Sequence, residues 1–192
     1  MTYVNSEKFI GVPLEPGRAF GEIDSSFHRL ARAEVSNYFE EKSTSALADR
    51  TPVQARLTLI QGLISDVSMH LPEGFARGLN RQFANLMDEE AWETSDDLIS
   101  PSALSAFLIG LIHIQTNKRP GIGTNGIGSV TAAWTEGPNR LTIEFLESGK
   151  ASLVLTRYLD SEEPERAALA PMPTGRLREV LAPFSPEVWF DI

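Results

Sequence analysis

VTAAWTEGPNRLTIEFLESGKASLVLT, residues 130–156, is the stretch that decides the fold. Val130, Ala132 and Trp134 alternate with small or polar residues, as side chains on a pleated strand must if one face is to be buried. The Glu136-Gly137-Pro138-Asn139 tetrapeptide reads as a turn. Leu141, Ile143 and Phe145 then alternate with Thr142, Glu144 and Leu146. Ser148-Gly149 turns the chain again, and Ala151, Leu153 and Leu155 alternate with Ser152, Val154 and Thr156. The pattern predicts an antiparallel meander of three strands with one face covered and the other polar. Residues 120–124 are placed to add a fourth.

Moving upstream, Asn125-Gly126 is a hairpin signal. Gly121, Gly123 and Gly126 have the spacing G-x-G-x-x-G. A dinucleotide fingerprint must follow a strand and open a helix, so that the pyrophosphate meets helix N–H groups. Here strand-like residues follow, and turns between strands are the better reading.

Before residue 120 the apolar period changes to that of helices. Phe27, Leu30, Ala31, Val35, Tyr38 and Phe39 share one face of a first helix. A second opens with Thr51 as N-cap, Pro52 behind it and Gln54 completing a capping box. Val53, Leu57, Ile60, Ile64 and Val67 form its stripe, and Pro72 stops it. A third carries Phe75, Leu79, Phe83, Leu86 and Met87. A fourth starts at Ser100-Pro101 and is apolar nearly all round, the mark of a central buried helix. Downstream, residues 161–165 read as an acidic loop and Thr174 as the cap of a short helix bearing Leu177, Val180 and Leu181. Helices first and strands later indicate an α+β fold. The expected organisation is an extended arm over 1–24, a helical part of about four helices over 25–119, and over 120–192 a three- to four-stranded antiparallel meander with a short C-terminal helix, folding as one unit. Trp189 and Phe190 are expected to dock on the body, with a homodimer contact as the other use for them.

The chain of 192 residues has 42% apolar and 22% charged residues, ordinary for a globular protein. It lacks cysteine, which excludes disulfides, thiolate zinc, iron–sulfur ligation and a cysteine nucleophile. No charged segment followed by an apolar core opens the chain, and its longest near-apolar run, 103–114, falls short of the ~20 residues a span needs. The expectation is a cytoplasmic chain without membrane insertion. Its net charge of −9 disfavours direct nucleic-acid binding, which needs an excess of Lys and Arg, and suits a basic protein partner.

Chemistry-bearing residues are sparse. His28, His70 and His113 fall on three different helices, without a metal-binding spacing. Glu144 and Glu147 are a candidate carboxylate pair, but strand alternation sets them on opposite faces. Ser129 follows Gly128, yet lacks the G-x-S-x-G context of a nucleophile. Six acids occur within 88–97: Asp88, Glu89, Glu90, Glu93, Asp96 and Asp97, with Trp92 among them as an anchor. No glycine breaks this run as a calcium loop requires. Neither a metal nor a cofactor is expected.

Pro120, Ile122, Thr124, Gly126, Gly128, Trp134, Leu141, Ile143, Glu144, Phe145 and Gly149, with Ser100-Pro101 and Trp92 upstream, form a pattern. It resembles a broad, largely uncharacterised family of small bacterial proteins with a P-x-I-x-T…G…W…L-x-I-E-[IF] meander. This chain departs from it at Ser129, where a second glycine is usual, and at Ala133, where an acid is usual. The resemblance implies the meander and an association with toxin–antitoxin-like or mobile loci. Two functions follow as expectations. One is a non-enzymatic interaction module, antitoxin- or immunity-like, that binds a protein through Asp88, Glu89, Glu90, Trp92, Glu93, Asp96 and Asp97. The other is a small-ligand binder or enzyme with a site between helices and sheet, using His113, Glu144 and Arg157.

Overall fold

The computed structural model describes residues 51–88, 92, 97–158 and 163–191. The arm over 1–24 and the first predicted helix lie outside the described residues. Among the described residues three long helices come first: α1 (Pro52–Val67), α2 (Phe75–Leu86) and α3 (Pro101–Ile114). Five strands follow: β1 (Gly121–Gly123), β2 (Val130–Glu136), β3 (Asn139–Phe145), β4 (Lys150–Arg157) and β5 (Glu165–Pro173). Short helices α4 (Leu177–Leu181) and α5 (Glu187–Phe190) close the chain, each preceded by a 3₁₀ turn. The fold is therefore α+β.

The caps form where the sequence places them. Thr51 Oγ1 accepts the Gln54 N–H at 3.3 Å, and Ser100 Oγ accepts the Ala103 N–H at 3.1 Å, each satisfying an orphan donor of a first turn. α2 buries Phe75, Leu79 and Phe83 at four-residue spacing. α3 buries eight residues around its circumference and ends at Gln115 in the left-handed region.

The strands pair in chain order, every neighbour antiparallel. Val130, Ala132 and Trp134, then Leu141, Ile143 and Phe145, then Ala151, Leu153 and Leu155 all point to the side carrying the helices and are buried. One core cluster joins α1, α2 and α3 to this inner face. Phe107 of α3 makes edge-to-face contacts with Phe83 of α2 at 5.9 Å and Phe145 of β3 at 5.6 Å, so a single ring ties two helices to the sheet. Trp134 donates its indole N–H to the Lys118 carbonyl at 2.8 Å and meets the Phe190 ring at 5.2 Å. Trp189 and Phe190 are buried in their own domain, which removes them as exposed dimer anchors.

The meander has five strands rather than three or four. β5 escapes notice in the sequence because Ala, Pro171 and Pro173 are poor strand residues. They are tolerated at a sheet edge, where a missing N–H disrupts no ladder. A register irregularity opposite Ala151 and Leu153 adds a bulge, and bulge and prolines together blunt the edge against further pairing. Two smaller expectations also change. β1 and β2 are joined by a six-residue loop, 124–129, not a two-residue turn at Asn125-Gly126. Thr174 does not cap α4: it lies inside the 3₁₀ turn, buried, and its hydroxyl has no hydrogen-bond partner among the described residues.

Gly110 sets how closely α3 approaches the sheet. A Cβ built there would meet Phe145 Cε1 at 2.6 Å and Leu177 Cδ1 at 3.4 Å, and the Phe145 ring is fully buried with little room to retreat. Gly110→Ala should lose about 1 kcal/mol or remain near neutral, because overpacking is offset by helix propensity. Gly110→Val should destabilise by about 2–4 kcal/mol. Denaturant midpoints at unchanged m-value check both.

Candidate interaction surface

The acidic segment is fastened at its described residues Trp92 and Asp97. Trp92 is half-buried against the core and donates its indole N–H to the Leu86 carbonyl at 2.9 Å, occupying an acceptor that the end of α2 leaves open. At the far end Asp97 N–H donates to the Gly126 carbonyl and Ser100 N–H to the Gly128 carbonyl, both at 2.9 Å. Asp97 thereby pairs with Ile127 in an isolated parallel bridge. Between them Ile99 is fully buried, and its carbonyl accepts Arg56 Nη1 at 2.6 Å. Burial draws the Arg56 guanidinium below its ordinary value, and a charge-assisted bond to a backbone carbonyl compensates part of that cost.

The loop that receives the segment is held from within. Thr124 Oγ1 donates to the Ser129 carbonyl at 3.0 Å, and Asn125 Oδ1 accepts the Ile127 N–H at 3.1 Å. Asn125 Nδ2 and Ser129 Oγ both donate to Glu144 Oε1, at 2.7 and 3.1 Å. Gly126 and Gly128 take φ of 74° and 77°, where an L-residue is strained. A Cβ at Gly128 would also run into the Glu147 carboxylate. Held this way, the loop presents Ile127 at 63% exposure beside exposed Asp97.

Of the predicted contact residues, Asp88 and Asp97 are exposed and Trp92 is half-buried. Glu89, Glu90, Glu93 and Asp96 lie outside the described residues. Ile127 belongs to no apolar period in the sequence. Its only signal is an isoleucine between two glycines in a segment of turn residues.

His113, Glu144 and Arg157 are not brought together. His113 is half-buried in the last turn of α3, on the inner side of the sheet. Glu144 points to the outer side, between Thr131 and Ser152 of the neighbouring strands. Arg157 is an inner-side residue five positions beyond Ser152 along β4, about 16 Å at strand rise. It is nearly buried and paired with Glu165 Oε2 through Nε at 3.0 Å and Nη2 at 2.7 Å, a cross-strand ion pair. Glu144 and Glu147 do not follow the opposite-face expectation either: β3 ends at Phe145, and both carboxylates lie against the 125–129 loop. Gly121 and Gly123 lie within β1, and the chain after Gly126 enters another strand, so the helix a dinucleotide fingerprint needs does not follow. Among the described residues, no group of three or more His, Asp or Glu side chains is arranged to hold a metal ion, and no helix is long and apolar enough to cross a membrane.

Glu144→Ala should leave the Ser129 hydroxyl and the Asn125 amide without their acceptor and loosen the loop while the core stays intact. The expected result is hydrogen exchange faster by tenfold or more at Gly126, Ile127 and Ser129, with unchanged protection in β2 and β3. Arg56→Met should cost about 1.5–3 kcal/mol of stability through loss of a charge-assisted bond, read from thermal or denaturant unfolding.

No protein-family model, curated protein or solved structure matches this chain.

Proposed function

We propose that this protein is a non-enzymatic interaction module, antitoxin- or immunity-like, that acts in the cytoplasm by binding and neutralising a basic protein partner. The contact surface is the acidic segment 88–97 together with Ile127. The observation that carries this reading is the Asp97–Ile127 pairing, which puts an exposed apolar side chain on a fixed loop at the edge of a dense acidic run. An exposed apolar anchor beside charged, solvated residues is a recurring feature of non-obligate interfaces. Acids at the rim raise the encounter rate with a basic surface, and the anchor slows release. The net charge of −9 extends the attraction beyond the contact itself. The resemblance of residues 120–155 to meander proteins of toxin–antitoxin-like loci points in the same direction.

A tagged pull-down at native expression level, with mass spectrometry, should recover one stoichiometric basic protein. Two variants then divide the surface. Glu89, Glu90, Glu93 and Asp96 changed together to Lys should lower the association rate by tenfold or more and flatten its salt dependence. Ile127→Asp should chiefly raise the dissociation rate. Recovery of the chain alone, or kinetics indifferent to both changes, would overturn the proposal.

A further inference from the structure

The outer face of the sheet is open among the described residues, since α1 to α5 all lie on the inner side. Its middle row runs Ala133, Thr142, Val154 and Ala168 across four strands in register. These side chains are short, and Val154 is 57% exposed at the centre. The charges around this row are ordered. On β3 the outward residues are Arg140, Thr142 and Glu144, positive to neutral to negative about Thr142. On β4, Lys150 and Tyr158 stand four residues to either side of Val154.

We propose that this face binds a second copy of the chain, sheet against sheet, about a two-fold axis that crosses the strands at Thr142 and Val154. That rotation reverses strand direction while keeping β3 over β3 and β4 over β4. Arg140 then falls opposite the partner's Glu144, and Glu144 opposite the partner's Arg140. Lys150 meets the ring of the partner's Tyr158, and the valines meet at the axis. The other in-plane axis, along the strands, sets Arg140 against the partner's Arg140 and is disfavoured. Isologous contacts of this kind require a surface complementary to itself, which β3 supplies with three residues. Glu144 can serve both roles: the bonds from Asn125 and Ser129 fall on Oε1 alone, leaving Oε2 for the partner's guanidinium.

Five strands about 4.8 Å apart, with outward positions about 6.6 Å apart, give a face of roughly 400–500 Å² per copy. Two copies bury roughly 800–1,000 Å², below the standard size of a specific interface, so the dimer dissociates on dilution.

The test is sedimentation velocity of the full chain over a concentration series. Wild type should pass from monomer to dimer as concentration rises. Val154→Asp, an exposed change that leaves circular dichroism and melting unchanged, should remain monomeric. R140E and E144R should each weaken self-association by at least tenfold, because each sets like charges opposite. An equimolar mixture of the two should form a heterodimer, since both contacts again join opposite charges. A wild-type chain that is monomeric throughout would overturn the proposal. So would a dimer indifferent to Val154→Asp, or a mixture that pairs no better than either variant alone.

Discussion

The approach of α3 to the sheet at Gly110 and Phe145 is the constraint on which the rest depends. With no side chain at Gly110, the helix comes near enough for the Phe145 ring to fill the gap, and Leu177 closes it from a third part of the chain. Phe107, one turn earlier, extends the contact to Phe83 and brings α2 into the same layer. All the described helices therefore gather on one side of the sheet. The inner positions of β2, β3 and β4 that lie under the helices must then be apolar, and the outer positions are released from that demand. What the chain does with its outer positions and connecting loops is a question of surface chemistry, because the core does not constrain them.

This division explains what can be read from the residues. The central strands announce themselves because each carries three apolar side chains at a period of two, at least two of them large and all fully buried. α1 and α3 announce their starts because the Thr51 and Ser100 hydroxyls perform local tasks that need no distant partner. β5 is silent for the opposite reason. Its inward side chains, Ala167, Leu169 and Met172, are only partly buried, a bulge breaks their period, and two prolines imitate a loop. Thr174 looks like a cap because it precedes a helical pattern, but the chain passes directly from strand into a 3₁₀ turn and buries the hydroxyl instead.

The surface around Ile127 is harder to foresee, because backbone atoms build most of it. The amides of Asp97 and Ser100 bond to glycine carbonyls, and neither partner leaves a mark in a side-chain pattern. Acid density alone identifies the segment as charged and solvated. Only the long-range bridge sets an isoleucine beside it. Glu144 is similar: alternation assigns it to the outer face, but nothing in its own neighbourhood says that Asn125 and Ser129 will reach it. That follows from the β2–β3 register, which sets Thr131 opposite Glu144 and Val130 opposite Phe145 and so brings the loop just before β2 to this end of the sheet.

Glu144 consequently belongs to two surfaces at once. One of its oxygens holds the loop that carries Ile127, and the same side chain lies in the outer row of the sheet. A cation brought to it from the outer side draws carboxylate charge away from the Asn125 and Ser129 donors, and a loop tightened around a ligand draws it back. Any difference that one contact makes to the free energy of the other must act equally in both directions. The size of that effect is bounded by what two hydrogen bonds to a half-exposed carboxylate contribute, on the order of 1–3 kcal/mol. That is enough to shift an affinity by about five- to 150-fold, and too little for either surface to abolish the other.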